Sequence, residues 1–153
     1  MKVCLGGTFN ILHKGHKKLI DKAYEIAGKN GSVFIGLATG ELSDKKSYLK
    51  TYKVRKQTLK QYLHEKGFIE RAIIKPIKDR YGPSIEKDFN AIVVSSETVK
   101  TAEEINKKRM EKGKKPLEIV KIPLILADDG VPISSTRIIK NEIDLNGRVL
   151  SKD

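Results

Sequence analysis

Short apolar runs alternate with longer amphipathic stretches along the whole chain. Residues 2–6, 32–38, 71–77, 91–95 and 117–126 are rich in Val, Ile, Leu and Ala and have the length of strands. Between them, apolar residues recur at helical spacing. Leu19, Ile20, Ala23, Ile26 and Ala27 mark a first helix that Gly28 or Gly31 would end. Val54, Leu59 and Leu63 mark the inner face of a second helix over 54–65, and a charged third over 98–112 would close at Gly113. Ser134 or Ser135 would cap a last helix from Thr136. The stretch 39–52 is polar, lysine-rich and without period, so it is expected to be a loop. Pro123 is expected to bend the fifth strand or place it at an edge.

The resulting order is β-α-β-α-β-loop-β-α-β-α. Strands that are apolar almost throughout need cover on both faces. The expected fold is therefore α/β: a Rossmann-like, doubly wound, five-stranded parallel sheet with helices on both faces. A length of 153 residues suits one domain over 1–153, with the end from about Asn146 free to fray.

In such sheets ligands bind at the carboxyl ends of the strands. Four polar clusters fall there. Gly6-Gly7-Thr8-Phe9-Asn10-Ile11-Leu12-His13-Lys14-Gly15-His16 follows the first strand and opens the first helix. The region of Lys45 and Lys46 follows the second strand, Ser95-Ser96-Glu97-Thr98 the fourth, and Ser134-Ser135-Thr136-Arg137 the fifth. Backbone N–H groups and the positive end of a helix dipole favour anions at a strand-to-helix junction. Two histidines three apart, with a glycine between them, can face one phosphate.

Charge points the same way without choosing a ligand. Thirty-one Lys and Arg against 19 Asp and Glu give +12, which favours anionic partners. Aromatic residues make up only 6%, with no Trp, so stacking platforms for single strands are few and nucleic acid is not the expected partner. The one cysteine, Cys4, excludes an intrachain disulfide and reads as a small buried residue. No Cys/His cluster has zinc spacing, and Asp128 and Asp129 read as turn residues, so no metal-ligating side chains are expected. No signal segment or membrane-length apolar run is read, which makes the cytoplasm the expected compartment.

The run G-G-T-F-x-x-x-H-K-G-H over 6–16 resembles the H-x-G-H signature of the nucleotidylyltransferase superfamily, and Ile133-Ser134-Ser135-Thr136-Arg137-Ile138 resembles its I-S-S-T-x-I signature. Val93-Val94-Ser95-Ser96-Glu97-Thr98, with Ala102, Ile105-Asn106 and Arg109 after it, is similar to the pattern of archaeal phosphopantetheine adenylyltransferases and the matching domain of eukaryotic coenzyme A synthase. Asp79-Arg80-Tyr81-Gly82-Pro83-Ser84 resembles that group's D-P-Y-G-P-T turn, with Arg80 in place of its first proline.

The resemblance implies transfer of AMP from ATP to 4′-phosphopantetheine, giving dephospho-coenzyme A and pyrophosphate. His16, Thr8 and Lys46 would be catalytic. Gly7, Thr8, His13, Gly15, His16, Glu97, Ser134, Ser135, Thr136 and Arg137 would bind ATP. Thr8, Lys45, Lys46 and Arg55 would bind the acceptor. Asn106 and Arg109 would help place the nucleotide or pair with Glu103 or Glu104. Magnesium would be held mainly through the ATP phosphates. Transfer to another phosphate acceptor, such as FMN or NMN, keeps the same chemistry. A basic nucleic-acid-binding protein and a nucleotide sensor without turnover are the non-enzyme alternatives.

Overall fold

The computed structural model describes residues 1–40 and 49–150. In chain order its elements are β1 (Lys2–Gly7), α1 (Lys14–Ala27), β2 (Ser32–Ala38), α2 (Tyr52–Glu65), β3 (Ala72–Ile77), β4 (Ala91–Val94), α3 (Val99–Glu111), β5 (Glu118–Lys121) and α4 (Ser135–Ile139). The strands form one five-stranded sheet in the order β3-β2-β1-β4-β5, and every pair is parallel. The chain winds outward from β1 to β3, then returns to start β4 on the other side of β1. The switch point therefore lies between β1 and β4, above the end of β1.

Strand side chains alternate between faces, and β1 shows what each face meets. Val3 and Leu5 pack into one core with Ile20, Ala23 and Ala27 of α1 and Leu59 and Leu63 of α2. Cys4 packs into the opposite core with Phe34, Ile92 and Val94 and with Ala102 and Ile105 of α3. Cover on both faces is thus the observed arrangement. It holds the glycine-rich end of β1 at the centre of the sheet's carboxyl edge.

Two local readings differ from the sequence expectation. The second helix begins at Tyr52 with Thr51 as its cap, so its buried stripe is Arg55, Leu59 and Leu63, and Val54 is left exposed. The fifth strand is only Glu118–Lys121, not 117–126. Pro123 has no N–H to donate to a ladder, and the chain leaves the sheet there. It continues into a hairpin in which Ile133 N donates to Ile125 O at 2.9 Å and Leu126 bridges Pro132 antiparallel. Among the described residues, hydrogen bonds run as far as Leu150. Gly147 O accepts from Asp128 N at 2.9 Å, and Leu150 N donates to Glu142 O at 3.0 Å.

Asn106 and Arg109 belong to the scaffold. Asn106 exchanges two hydrogen bonds with the backbone of Leu117, at 2.7 and 2.9 Å, and so sets the start of β5 against α3. Arg109 is buried and donates to the carbonyls of Ser84, Lys87 and Lys115, each at 2.8 Å. Neither lines either of the two cavities described below, and among the described residues neither pairs with Glu103 or Glu104.

Candidate active site

The loop that leaves β1 makes its own cap for α1. His13 is the N-cap, and its Nδ1 accepts from Gly15 N at 3.0 Å and from His16 N at 3.4 Å. His16 Nδ1 in turn accepts from His13 N at 3.4 Å, closing a capping box built from two imidazoles. The rings stack at a centroid distance of 3.8 Å. A Cβ at position 15 would lie 2.9 Å from His13 Cε1 and 3.1 Å from its Nδ1. The glycine of the H-x-G-H run is therefore there to admit the first histidine's ring.

This arrangement revises one expectation. The first amides of α1 are not open to an anion: Gly15 and His16 N–H are taken by His13, and Lys14 N reaches Leu145 O at 3.4 Å. What remains for a ligand is the imidazole pair. Because each Nδ1 accepts a backbone N–H, each ring is assigned as the neutral Nε2–H tautomer. Burial supports neutrality. Desolvation holds His13 down at about 4. It holds His16 down at about 3, with the neighbouring His13 adding to the effect and the Ile11 carbonyl opposing it.

A cavity of about 540 Å³ opens above these rings, within the size range of small-molecule sites. Gly7, Thr8, His13, Gly15, His16, Glu97, Ser134, Ser135 and Thr136 all line it. The two signature regions also touch: Ser135 Oγ lies 3.4 Å from both the N and the O of Ile11, across 124 positions of sequence. Glu97 is exposed at the carboxyl end of β4. Ile122, Pro123, Leu124 and Ile125, at and beyond the end of β5, form an apolar wall. Asn10 lines the cavity too. It lies inside the first motif, but only its hydrogen bonds reveal its partner.

A second cavity of about 200 Å³ begins at the same glycines, on the α3 side of the sheet. Gly6, Gly7, Thr8 and Thr98 line both spaces. The second one continues along Cys4, Phe34, Ile77, Ile92 and the Tyr81-Gly82-Pro83 turn, so it is largely apolar. Asp79 shapes that turn by accepting from Tyr81 N at 2.9 Å and Gly82 N at 2.7 Å. Burial pushes the Cys4 thiol up to about 12, with Ser84 and Arg109 opposing, so it stays an unreactive wall group.

Two arginines stand elsewhere than expected. Arg137 lines neither cavity; its guanidinium turns back to pair with Asp129 and Glu142 and donates to Val131 O at 3.2 Å. Arg55 is buried and bonded to backbone carbonyls, and it too lines neither cavity. Lys45 and Lys46 lie outside the described residues. Among the described residues, no Lys or Arg lines the larger cavity, and no three His, Cys, Asp or Glu side chains gather as a metal site. No described helix is long and apolar enough to cross a membrane.

Residues 4–141 match the cytidylyltransferase-like family. A phosphopantetheine adenylyltransferase of Methanosarcina mazei is 49% identical over 149 residues, covering 97% of this chain and 96% of that one. That of Archaeoglobus fulgidus is 42% identical over 151 residues, covering 98% of this chain and 100% of its own. A crystal structure of a protein of unknown function from Archaeoglobus fulgidus superposes with a TM-score of 0.72 at 40% identity, over 80% of this chain and 89% of that one.

Proposed function

The chain belongs to the cytidylyltransferase-like family, and we infer that it is an adenylyltransferase that joins ATP to 4′-phosphopantetheine, releasing pyrophosphate and forming dephospho-coenzyme A. One observation carries the choice of acceptor. Two cavities of different character meet at Gly6-Gly7-Thr8: a larger one with histidines and hydroxyls, and a smaller apolar one. ATP suits the first and the uncharged arm of phosphopantetheine the second, so that their phosphates meet at Thr8.

The reaction is an in-line displacement. An oxygen of the acceptor phosphate forms the new bond to the α-phosphorus, and the bond from that phosphorus to the bridging oxygen breaks, leaving its electron pair on pyrophosphate. The acceptor oxygen is already ionised, so no side chain has to remove a proton. Catalysis is then orientation and stabilisation of charge at the α-phosphate. We assign that donation to His16 Nε2–H, and the hold on the triphosphate to His13 and the hydroxyls of Ser134, Ser135 and Thr136. Thr8 meets the acceptor phosphate. Gly7 permits the close approach, Gly15 makes room for the His13 ring, and the apolar wall of residues 122–125 takes the adenine. Glu97, at the rim, is placed to accept from ribose hydroxyls.

Neutral donors orient phosphates but do not neutralise them. The cavity offers hydroxyls and a single carboxylate, a lining that leaves a magnesium ion to be held chiefly by substrate oxygens. Such an ion would supply screening of the two approaching anions. Lys45 and Lys46 are assigned to the acceptor side because two approaching anions need cations between them. Arg55 and Arg137 are withdrawn from phosphate contact, because their guanidinium groups are committed to the scaffold. The cytoplasm, where ATP is abundant and a lone thiol stays reduced, is the proposed compartment.

The test is direct. Purified protein is mixed with ATP, magnesium and 4′-phosphopantetheine, and pyrophosphate release is followed while the organic product is weighed by mass spectrometry. FMN and NMN run in parallel. Dephospho-coenzyme A with the first acceptor alone is the expected result. Product with another mononucleotide only would overturn the acceptor reading, and no product with any would overturn the enzyme reading.

A further inference from the structure

We propose that Arg55 and Asn10 act as positioning residues for this reaction, gripping the backbone of the phosphate loop at Thr8 against the end of β2 and the start of α2. The proposal rests on the adenylyltransferase reading above.

Arg55 is 2% exposed, although it sits in the first turn of α2. Its Nη1 donates to Thr8 O at 3.0 Å and to Ala38 O at 2.7 Å, and its Nε donates to Lys50 O at 2.9 Å. The ring of Tyr52 lies beside it, 5.9 Å from the guanidinium carbon. One planar fork thus holds three separate pieces of backbone. Among the described residues no carboxylate pairs with this cation. Burying a cation among carbonyls alone is a costly way to gain stability, since an apolar residue fills such a space more cheaply. The fork does have a geometric use, because its donors are fixed relative to one another.

Asn10 completes the grip. It is 8% exposed, and its Oδ1 accepts from Lys50 N at 2.8 Å. Residue 50 is therefore held at its N–H by Asn10 and at its carbonyl by Arg55. Between the two loop contacts lies Phe9, buried at φ 48°, a left-handed conformation that a bulky side chain rarely adopts. Such a conformation persists only where its surroundings over-determine it. The bonds donated to Thr8 O and to Asn10 Oδ1 bracket that residue on both sides. With its carbonyl drawn back onto Arg55, Thr8 presents its remaining face where the two cavities join.

A group acting in this way shapes the transition state more than ground-state binding. The experiment compares wild type, Arg55→Lys, Asn10→Ala and the double variant. It reads kcat and KM for both substrates, and amide hydrogen exchange over residues 6–10 without substrate. Arg55→Lys keeps the charge but cannot span three carbonyls, and Asn10→Ala leaves the guanidinium in place should the lysine variant fold poorly. Each single variant is expected to lose about 10- to 100-fold in kcat, with both KM values within about threefold. The double variant should be no worse than about threefold below the weaker single, because both act on one joint. Exchange should quicken over residues 6–10 and stay unchanged in α3. Unchanged kcat, or losses that multiply in the double variant, would overturn the proposal. So would a rise in acceptor KM alone, which would make Arg55 a direct ligand. If wild type makes no dephospho-coenzyme A, the functional reading fails instead, and the exchange result still decides whether the grip exists.

Discussion

Replacing Gly15 by alanine should separate catalysis from stability. The new methyl carbon would lie 2.9 Å from His13 Cε1 and 3.1 Å from Nδ1, closer than carbon atoms tolerate. The ring cannot yield towards its partner, because His16 already stacks on it at 3.8 Å. It must swing outward, which loosens the 3.0 Å bond from residue 15 N–H to His13 Nδ1. Losing a cap of this kind costs about 1 kcal/mol. Alanine in place of glycine within a helix returns up to about 1 kcal/mol. The two nearly cancel, so the melting temperature should move by only a few degrees. The site has no such compensation. A displacement of about 1 Å in a group that holds the triphosphate costs on the order of 100-fold in rate. Thermal melting and pyrophosphate release on one preparation would measure both. A variant that keeps kcat/KM within about threefold would refute the account of why this motif contains a glycine. Equal losses of stability and rate would refute the claim that the ring, and not the fold, is disturbed.

His16→Ala should lower kcat by about 100- to 1,000-fold while leaving ATP affinity, measured by calorimetry, within a few-fold, because its donation is assigned to the transition state; parallel loss of both would argue for simple binding. In the free protein both histidines should stay neutral well below pH 6, and nitrogen chemical shifts in a pH titration would show a midpoint near 6.5 if burial were unimportant. The sign for stability follows from the same depression. Above about 6.5 neither state binds the proton and the histidines contribute nothing. Below it the unfolded chain gains protons that the folded chain refuses, so stability falls by about 1.4 kcal/mol per pH unit for each, down to about 4 for His13 and about 3 for His16. Urea titrations at successive pH values would reveal this slope, on top of that from the carboxylates. Arg137→Ala should lower the melting temperature and leave the KM for ATP within about threefold, since the side chain pairs with Asp129 and Glu142 and not with the cavity; a large rise in KM would return it to the phosphate site.

The sheet was legible because its cause is local. Strands buried on both faces must be apolar almost throughout, and β2 (Ser32–Ala38) begins and ends at the residues the pattern marked. The readings that failed depend on partners distant in sequence. Val54 looks like an inner residue because it is apolar, yet the buried stripe runs Arg55, Leu59 and Leu63 at i, i+4 and i+8, and Val54 lies about 100° round the helix from Arg55. Residues 122–126 have strand composition, yet from Pro123 the chain leaves the ladder, and Pro123, Leu124 and Ile125 wall the larger cavity.

The arginines show most clearly what sequence withholds. Arg137 stands in the I-S-S-T-x-I signature, Arg109 follows the V-V-S-S-E-T run and Arg55 follows the lysine-rich loop, so each invites assignment to a substrate. Their hydrogen bonds go instead to carbonyl groups of Thr8, Ala38 and Lys50, to those of Ser84, Lys87 and Lys115, and, for Arg137, to Val131 O and the carboxylates of Asp129 and Glu142. A guanidinium has fixed, forked donors and can fasten loops that share no regular ladder, whereas a lysine offers only a mobile point charge. Loops at the carboxyl edge of a parallel sheet have many carbonyls to satisfy and few strands to satisfy them. Arginine there can be scaffold as readily as ligand, and only geometry separates the two. The same reasoning leaves the larger cavity with neutral imidazoles and hydroxyls among its described lining. An active site of that kind would orient its phosphates first and rely on a substrate-borne cation for charge, so its turnover should depend steeply on divalent metal while its fold does not. A melting temperature unmoved by a chelator that abolishes turnover would agree with this, and a chelator that unfolds the protein would contradict it.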